Sequence, residues 1–303
     1  MISLRIEPDA HLPATAANPW ANCRFLSCSV LPVRVACNLH CPFCFSKSSV
    51  SALRRERTDW RRLDVGSYYR FALDRGATRL VVTGGGEPLL RPDDVVYLTE
   101  VGAKFFGEIA CFTNGTYLTR ELARQLADAG LSYLCYSRHH EEDHRNRQLM
   151  GQQAPTLTAF MDAAGSLPVR ATCVMARSYV GSTEAVWRYI EKLRRHGVRQ
   201  FTFKHTYIAY EHSLFQGSAE NHWAADHQVE FDPFAETGEV VGRLPWGPRI
   251  HRLGDLQVCY YQEPKPQWEL SQGLCRSTNL LSDGSIYASL EDQRSLLYRL
   301  PAC

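Results

Sequence analysis

Cys37, Cys41 and Cys44, spaced C-x3-C-x2-C in the stretch ACNLHCPFCF, form the densest group of reactive side chains in the sequence. Thiolates are soft ligands, and three on one short loop suit iron–sulfur or zinc chemistry. Structural zinc ordinarily takes four protein ligands. No fourth cysteine or histidine follows at a customary knuckle spacing, and His40, inside the loop, competes with Cys41 for direction. The triplet therefore leaves a cubane one ligand short, and an iron with an open position can bind a substrate or cofactor directly.

A second group, VVTGGGEPLL, joins three glycines to a carboxylate. Gly84, Gly85 and Gly86 permit close backbone approach and positive φ, while Glu87 brings a charge into a cleft. The pattern is not a dinucleotide fingerprint, since G-x-G-x-x-G is absent, nor a P-loop, since the Lys-Ser/Thr pair is missing. Further along, Asn114-Gly115 reads either as a turn or as a polar contact. Ser137 is followed by Arg138, whose fork suits a carboxylate. The run HHEEDH at 139–144 packs its polar residues side by side, without the H-E-x-x-H spacing that converges ligands on a helix face. It reads as a solvated cap or as a loop offering polar groups to a substrate. Arg145, Asn146, Arg147, Lys204 and His205 favour a polar or anionic substrate. Period-two alternation puts Cys135 on the same side of a strand as Ser137, so it is either a small core residue or a thiol near the pocket.

Short β-rich runs alternate with helical patterns and must hold these groups in place. The strand candidates are Val30–Ala36, Thr78–Thr83, Glu108–Thr113, Leu131–Ser137, Val169–Val174 and Arg199–Lys204. Helical spacing covers Val65–Leu73, Asp93–Val101, Arg120–Ala129, Thr156–Ala164 and Thr183–His196, with Thr119 and Ser182 as N-caps and Gly130 and Gly197 as stops. Repeated βα units fit an open doubly wound sheet or a partial barrel, and spacing does not separate them. In both, the loops leaving the carboxyl ends of the strands form the active face, which is where the cysteine loop, Gly84–Pro88, Asn114–Gly115 and Arg138–His144 fall. After about Tyr210 the periodicity stops. Glu211–Arg249 reads as covering loops, and Leu256–Tyr261 and Ser285–Leu290 read as strands. This tail is expected to close the open side of the sheet.

The set Cys37, Cys41, Phe43 and Cys44 after a first strand resembles the radical S-adenosylmethionine superfamily, over roughly residues 28–210. That resemblance implies a partial (βα)6 TIM-like barrel, with residues 1–27 as an N-terminal extension, 28–210 as the core and 211–303 as a C-terminal covering segment. It implies one [4Fe–4S] cluster on Cys37, Cys41 and Cys44, with S-adenosylmethionine chelating the fourth iron. Phe43 would lie near the adenine, and Gly85, Gly86 and Glu87 would bind the methionyl amine. Asn114 would approach cofactor or substrate, and Ser137 and Arg138 would contact the cofactor. Cys135, Arg138 and Lys204 are the candidate catalytic residues. A 5′-deoxyadenosyl radical would be generated with electrons from a flavodoxin or ferredoxin. The tail GLCRSTNLLSDGSIYASL resembles the auxiliary-cluster region of molybdenum-cofactor cyclase-type enzymes at Cys275 and Asp283-Gly284, but Ser289 stands where the last cysteine would be. A second cluster from Cys259, Cys275 and Cys303 is therefore not expected.

Composition limits what such a site serves. A net charge of +2 on 303 residues supplies no field to draw in nucleic acid or an anionic membrane, and the arginines at 54, 55, 57, 61 and 62 come without a recognised RNA module. No apolar run approaches the roughly 20 residues that span a bilayer. Eleven cysteines without a secretory h-region point to a reducing, cytoplasmic setting. The leading expectation is a polar small molecule (nucleoside, sugar or amino-acid derivative) undergoing rearrangement, elimination or redox conversion. The alternative is a peptide-modifying enzyme, including a Cys135-dependent epimerase, although the first 27 residues are too short for a winged-helix leader reader. A non-catalytic iron–sulfur or zinc protein stands third.

Overall fold

The computed structural model describes residues 18–33, 36–53, 59–211 and 213–300. Cys303, the arginines at 54, 55 and 57, and most of the 1–27 extension lie outside them. The first part of the chain runs β1 (Arg24–Leu31), α1 (Val65–Asp74), β2 (Leu80–Val82), α2 (Pro92–Gly102), β3 (Ile109–Thr113), α3 (Arg120–Asp128) and β4 (Tyr133–Ser137). It continues through α4 (Asp143–Met150), α5 (Leu157–Ala164), β5 (Val169–Val174), α6 (Thr183–Arg194) and β6 (Gln200–Lys204). Thr119 and Ser182 accept N–H bonds from Leu122 and Ala185, caps that typically stabilise a helix by about 1 kcal/mol. Gly130 and Gly197 end α3 and α6 at positive φ.

One expectation about this region is corrected, and another is narrowed to its helix-cap alternative. The first strand is Arg24–Leu31, not Val30–Ala36, because Pro32 has no N–H to continue the ladder. The HHEEDH run is not a plain loop: Asp143 and His144 open α4, with the chain entering through Glu142.

Beyond Tyr210 the chain is far more regular than its composition suggests. It forms α7 (Ala219–His227), β7 (Glu239–Arg243), β8 (Arg249–Leu253), β9 (Leu256–Tyr261), α8 (Pro266–Gln272), β10 (Leu274–Leu281), β11 (Ser285–Tyr287) and β12 (Leu296–Arg299). Among the described residues, twelve strands join one sheet in the order β12-β11-β10-β1-β2-β3-β4-β5-β6-β9-β8-β7. Strands β10, β1 to β6 and β9 are mutually parallel, and an antiparallel pair flanks each end. The tail thus adds a parallel strand to each edge of the six-stranded core. No ladder joins β9 to β10 among the described residues.

Alternation divides the sheet into two unlike faces. Cys28, Val30, Leu80, Val82, Cys111, Leu134, Tyr136, Ala171, Cys173, Phe201 and Phe203 enter the main hydrophobic core with the helices. The opposite positions carry Ser27, Ser29, Cys135, Ser137, Thr172, Thr202, Lys204, Ser277 and Asn279. The concave side of the half-barrel is therefore polar, and its contents belong to the site.

Candidate active site

The cysteine loop hangs between β1 and the glycine turn after β2. Gly85 N–H donates to Val33 O and Glu87 N–H to Ala36 O, each at 3.0 Å, so the glycine segment runs beside the approach to Cys37. Ser46 Oγ adds a bond to Gly84 O. A Cβ on Gly84 would collide with the Gly86 carbonyl. The need at Gly84 is space, not a left-handed φ.

Cys37, Cys41 and Cys44 are each partly exposed and unpaired. Among the described residues no three metal-ligating side chains are drawn to coordination distance. The donor chemistry nonetheless suits a cluster. Burial, and then the neighbouring thiols, push the Cys41 thiol up, a strain that a bound cation relieves. Two N–H groups face Cys37 Sγ, from Leu39 at 3.5 Å and Asn114 Nδ2 at 3.8 Å.

Glu87, only 2% exposed, ties the loops together. Its Oε1 accepts from Thr113 Oγ1 at 2.6 Å and Leu89 N at 3.0 Å, and its Oε2 from Asn114 N at 2.7 Å. Burial pushes its carboxyl up, and these three donors offset only part of that rise. Asn114 then bonds Asn38 Oδ1 at 3.0 Å, which links the end of β3 to the cysteine loop. Gly115 takes positive φ beneath the Phe160 ring, where a Cβ would clash. Asn114 is thus both the turn residue and the polar contact.

Phe43 stands edge-on to His139, centroids 4.7 Å apart, and tilts against Trp223 at 5.6 Å. His139 Nδ1 accepts the Val174 N–H at 3.0 Å, and burial pulls its imidazole down to about 3. The ring is therefore neutral with its proton on Nε2. Ser137 is half-buried on the concave face, and Cys135 lies two residues deeper with its thiol pushed up to about 12 by burial.

The sequence model of the radical SAM superfamily, the enzymes that use S-adenosylmethionine with iron–sulfur, matches residues 31–212. The chain belongs to this superfamily. Among curated proteins it is 34% identical over 96 residues to GTP 3′,8-cyclase of Aliarcobacter butzleri, covering 31% of this chain and 29% of that one. It is 31% identical to the Moorella thermoacetica GTP 3′,8-cyclase over 149 residues, covering 47% and 45%. The matched segment spans less than half the length of these relatives. Among solved structures, Streptococcus suis SuiB bound to the precursor peptide SuiA aligns with a TM-score of 0.54 at 15% identity, covering 88% of this chain and 60% of SuiB. That is a likeness of fold.

One expected contact of this radical SAM chain is turned away from the concave face. Arg138 is fully buried on the helix side with Tyr136. Its Nη2 pairs with Asp143 Oδ1 at 2.7 Å and bonds Glu141 O at 3.1 Å, so it fastens the start of α4 and offers no fork to a ligand carboxylate. Arg145 bonds Ser178 O and Arg147 bonds Ala154 O, so both guanidiniums are engaged with the backbone. The tail cysteines are dispersed: Cys275 contacts Cys23 and Cys259 lies on β9, with no gathered ligand set among the described residues.

Sequence reasoning singled out Lys204 but missed Glu263 and Arg276, the charges that it meets across the half-barrel. Lys204, at the end of β6, pairs with Glu263 Oε1 at 2.7 Å, and Arg276 of β10 pairs with the same carboxylate. Tyr261 Oη donates to Glu263 Oε2 at 2.8 Å. The unpaired seam between β9 and β10 is thus bridged by side chains. Burial, then Arg276, pulls Lys204 down to about 7, and burial pushes Glu291 up to about 7. Beside this cluster opens a cleft of about 1140 Å³, lined by residues from 205–211, 228–235, 246–249 and 260–267 together with Glu291. Tyr207, at its inner end, packs edge-on against Phe45 at 4.8 Å, one residue from Cys44.

Glu269 of α8 makes a test of this buried electrostatics. Its Oε1 accepts Arg276 N–H at 2.7 Å, and burial, followed by Glu291, pushes its carboxyl from 4.5 up to about 9. The unfolded chain ionises it from about pH 4.5 and the folded chain only near 9, so its burial costs stability as pH rises through that window. Glu269→Gln keeps an acceptor and removes the charge. Its stability should match wild type near pH 5 and exceed it progressively toward pH 8, by on the order of 1 kcal/mol per pH unit. Parallel denaturation curves at all pH values would refute the assignment.

Proposed function

We propose that this chain is a radical S-adenosylmethionine enzyme acting on a residue of a peptide laid in the cleft. The supporting observation is the cleft itself. Small-molecule pockets commonly enclose about 300–1,000 Å³, and this one, at about 1140 Å³, lies just above that range and is half-open to solvent, while Tyr207 in its lining packs on the ring beside Cys44. That geometry favours the peptide alternative over the polar small molecule expected from sequence. The precursor peptide in the SuiB complex, on a related fold, agrees with it.

In this reading Cys37, Cys41 and Cys44 hold a [4Fe–4S] cluster. Phe43, Gly85, Gly86, Glu87, Asn114 and Ser137 surround S-adenosylmethionine. When bound, the two groups supply a 5′-deoxyadenosyl radical that takes a hydrogen atom from a substrate carbon, with electrons from a flavodoxin or ferredoxin. Glu87 anchors the loops on which the cofactor rests, and Asn114 holds the cysteine loop against them. Glu263, paired with Lys204 behind it, lines the cleft, and so does Trp246, braced by its Nε1–H bond to Gln262 O at 2.7 Å.

Release of 5′-deoxyadenosine from reduced, reconstituted protein tests the reading. Mixed peptides should stimulate release, and Trp246→Ala should raise the peptide concentration needed. Stimulation by nucleosides, sugars or free amino acids alone would return the reading to a small molecule. Cys135, protonated and on the concave face, favours the epimerising form of peptide chemistry. With the peptide found, turnover in deuterated water should place deuterium at the abstracted carbon in wild type and lose it in Cys135→Ala. Retained deuterium would exclude the thiol as donor.

A further inference from the structure

The lining of the cleft is charged unevenly. Glu211, Glu230, Asp232, Glu263 and Glu291 face Arg249 and Lys265. Both cations are exposed to solvent, and His205, whose imidazole is pulled down by burial, stays neutral. Glu263 already serves Lys204 and Arg276. Glu291, only 4% exposed, makes no ion pair among the described residues, although Arg276 and Lys204 lie near enough to act on its charge. Between these acids stand Tyr207, Tyr210, Phe231, Trp246 and Tyr260, whose ring faces attract lysine and arginine heads. Acidic groups interleaved with aromatic rings complement a cationic chain and repel an anionic one.

We propose that the cleft selects a basic peptide segment, whose lysine or arginine side chains meet Glu230, Asp232 and Glu291 and lie across Phe231 and Trp246. This rests on the peptide reading above and names the class of peptide. The backbone of the segment would lie between the β7–β8 hairpin and the loop after β6. One basic side chain would enter toward Glu291, which places its neighbours in the chain beside Tyr207.

Binding of three fluorescein-labelled peptides of equal length, repeats of Lys-Gly, Ser-Gly and Glu-Gly, tests this by fluorescence anisotropy on the full chain. At low salt the Lys-Gly peptide should bind about tenfold or more tighter than Ser-Gly, with Glu-Gly weakest. The advantage should shrink as salt screens the lining. Glu230→Lys, at an exposed position, should cut Lys-Gly affinity by about tenfold and leave Ser-Gly unchanged. Asp232→Asn, which keeps an acceptor for Phe234 N–H, should act in the same direction. Equal affinity for all three peptides would overturn the basic-segment proposal and leave the peptide reading standing. Binding of none would overturn both.

Discussion

A chain carrying Cys37→Ala, Cys41→Ala and Cys44→Ala should fold normally and hold no iron. Anaerobic reconstitution of wild type should bind about four irons per chain, the content of one cubane, and the triple variant none. With that loss should go all 5′-deoxyadenosine formation, the largest effect any substitution here should have. The fold should survive because the three side chains are partly exposed, and Cys37 and Cys41 pack against the small cluster of Leu39, Met150 and Ala154 and not against the main core. Near-unchanged thermal unfolding of the apo-proteins would confirm that point. About eight irons in wild type, or a cluster persisting in the variant, would show that Cys23, Cys259 or Cys275 also serve as ligands.

Glu87→Gln should produce the next largest loss, in two separable parts. An amide offers one oxygen where the carboxylate offers two, so its NH2 must confront either the Asn114 N–H or the Leu89 N–H, and neither can turn away. Leaving such a buried donor without an acceptor costs about 1–3 kcal/mol, visible as lowered thermal stability without any cofactor. A contact to the methionyl ammonium is worth about 1.5–3 kcal/mol, so S-adenosylmethionine affinity should fall roughly 10- to 150-fold. Lost stability with unchanged cofactor affinity would make Glu87 a brace only. Unchanged stability would mean that the three donors do not depend on its charge.

Much of this site was legible before any coordinates. The thiol triplet, the Gly-Gly-Gly-Glu turn and the strand-then-helix rhythm sit on local spacing, which sequence carries directly. Arg138 was misassigned even though the signal was present: the alternation that puts Cys135 and Ser137 on the concave face puts Arg138 with Tyr136 on the helix side. The tail was hidden for a different reason. In β10, Ser277 and Asn279 are polar on the concave side and Arg276 and Thr278 interrupt the rest, so the segment lacks the apolar pattern of a strand. Its partner is β1, and no local rule pairs residues so distant. Glu263 and Lys204 likewise meet only once β9 lies beside β6.

The pairing of β1 with β10 also sets an order of events during synthesis. Arg24 lies opposite Leu274, about 250 residues later. At typical elongation rates of about 5–20 residues per second, that interval lasts roughly 10–50 s. Through it the strand that leads into the cysteine loop lacks its β10 neighbour along Arg24–Leu31, with only the Tyr68 hydroxyl reaching Ser29 O. Loop closure over such a span is slow, and an open edge invites a wrong partner. Nascent chains stalled before residue 274 should therefore be more prone to aggregation than those stalled beyond β10.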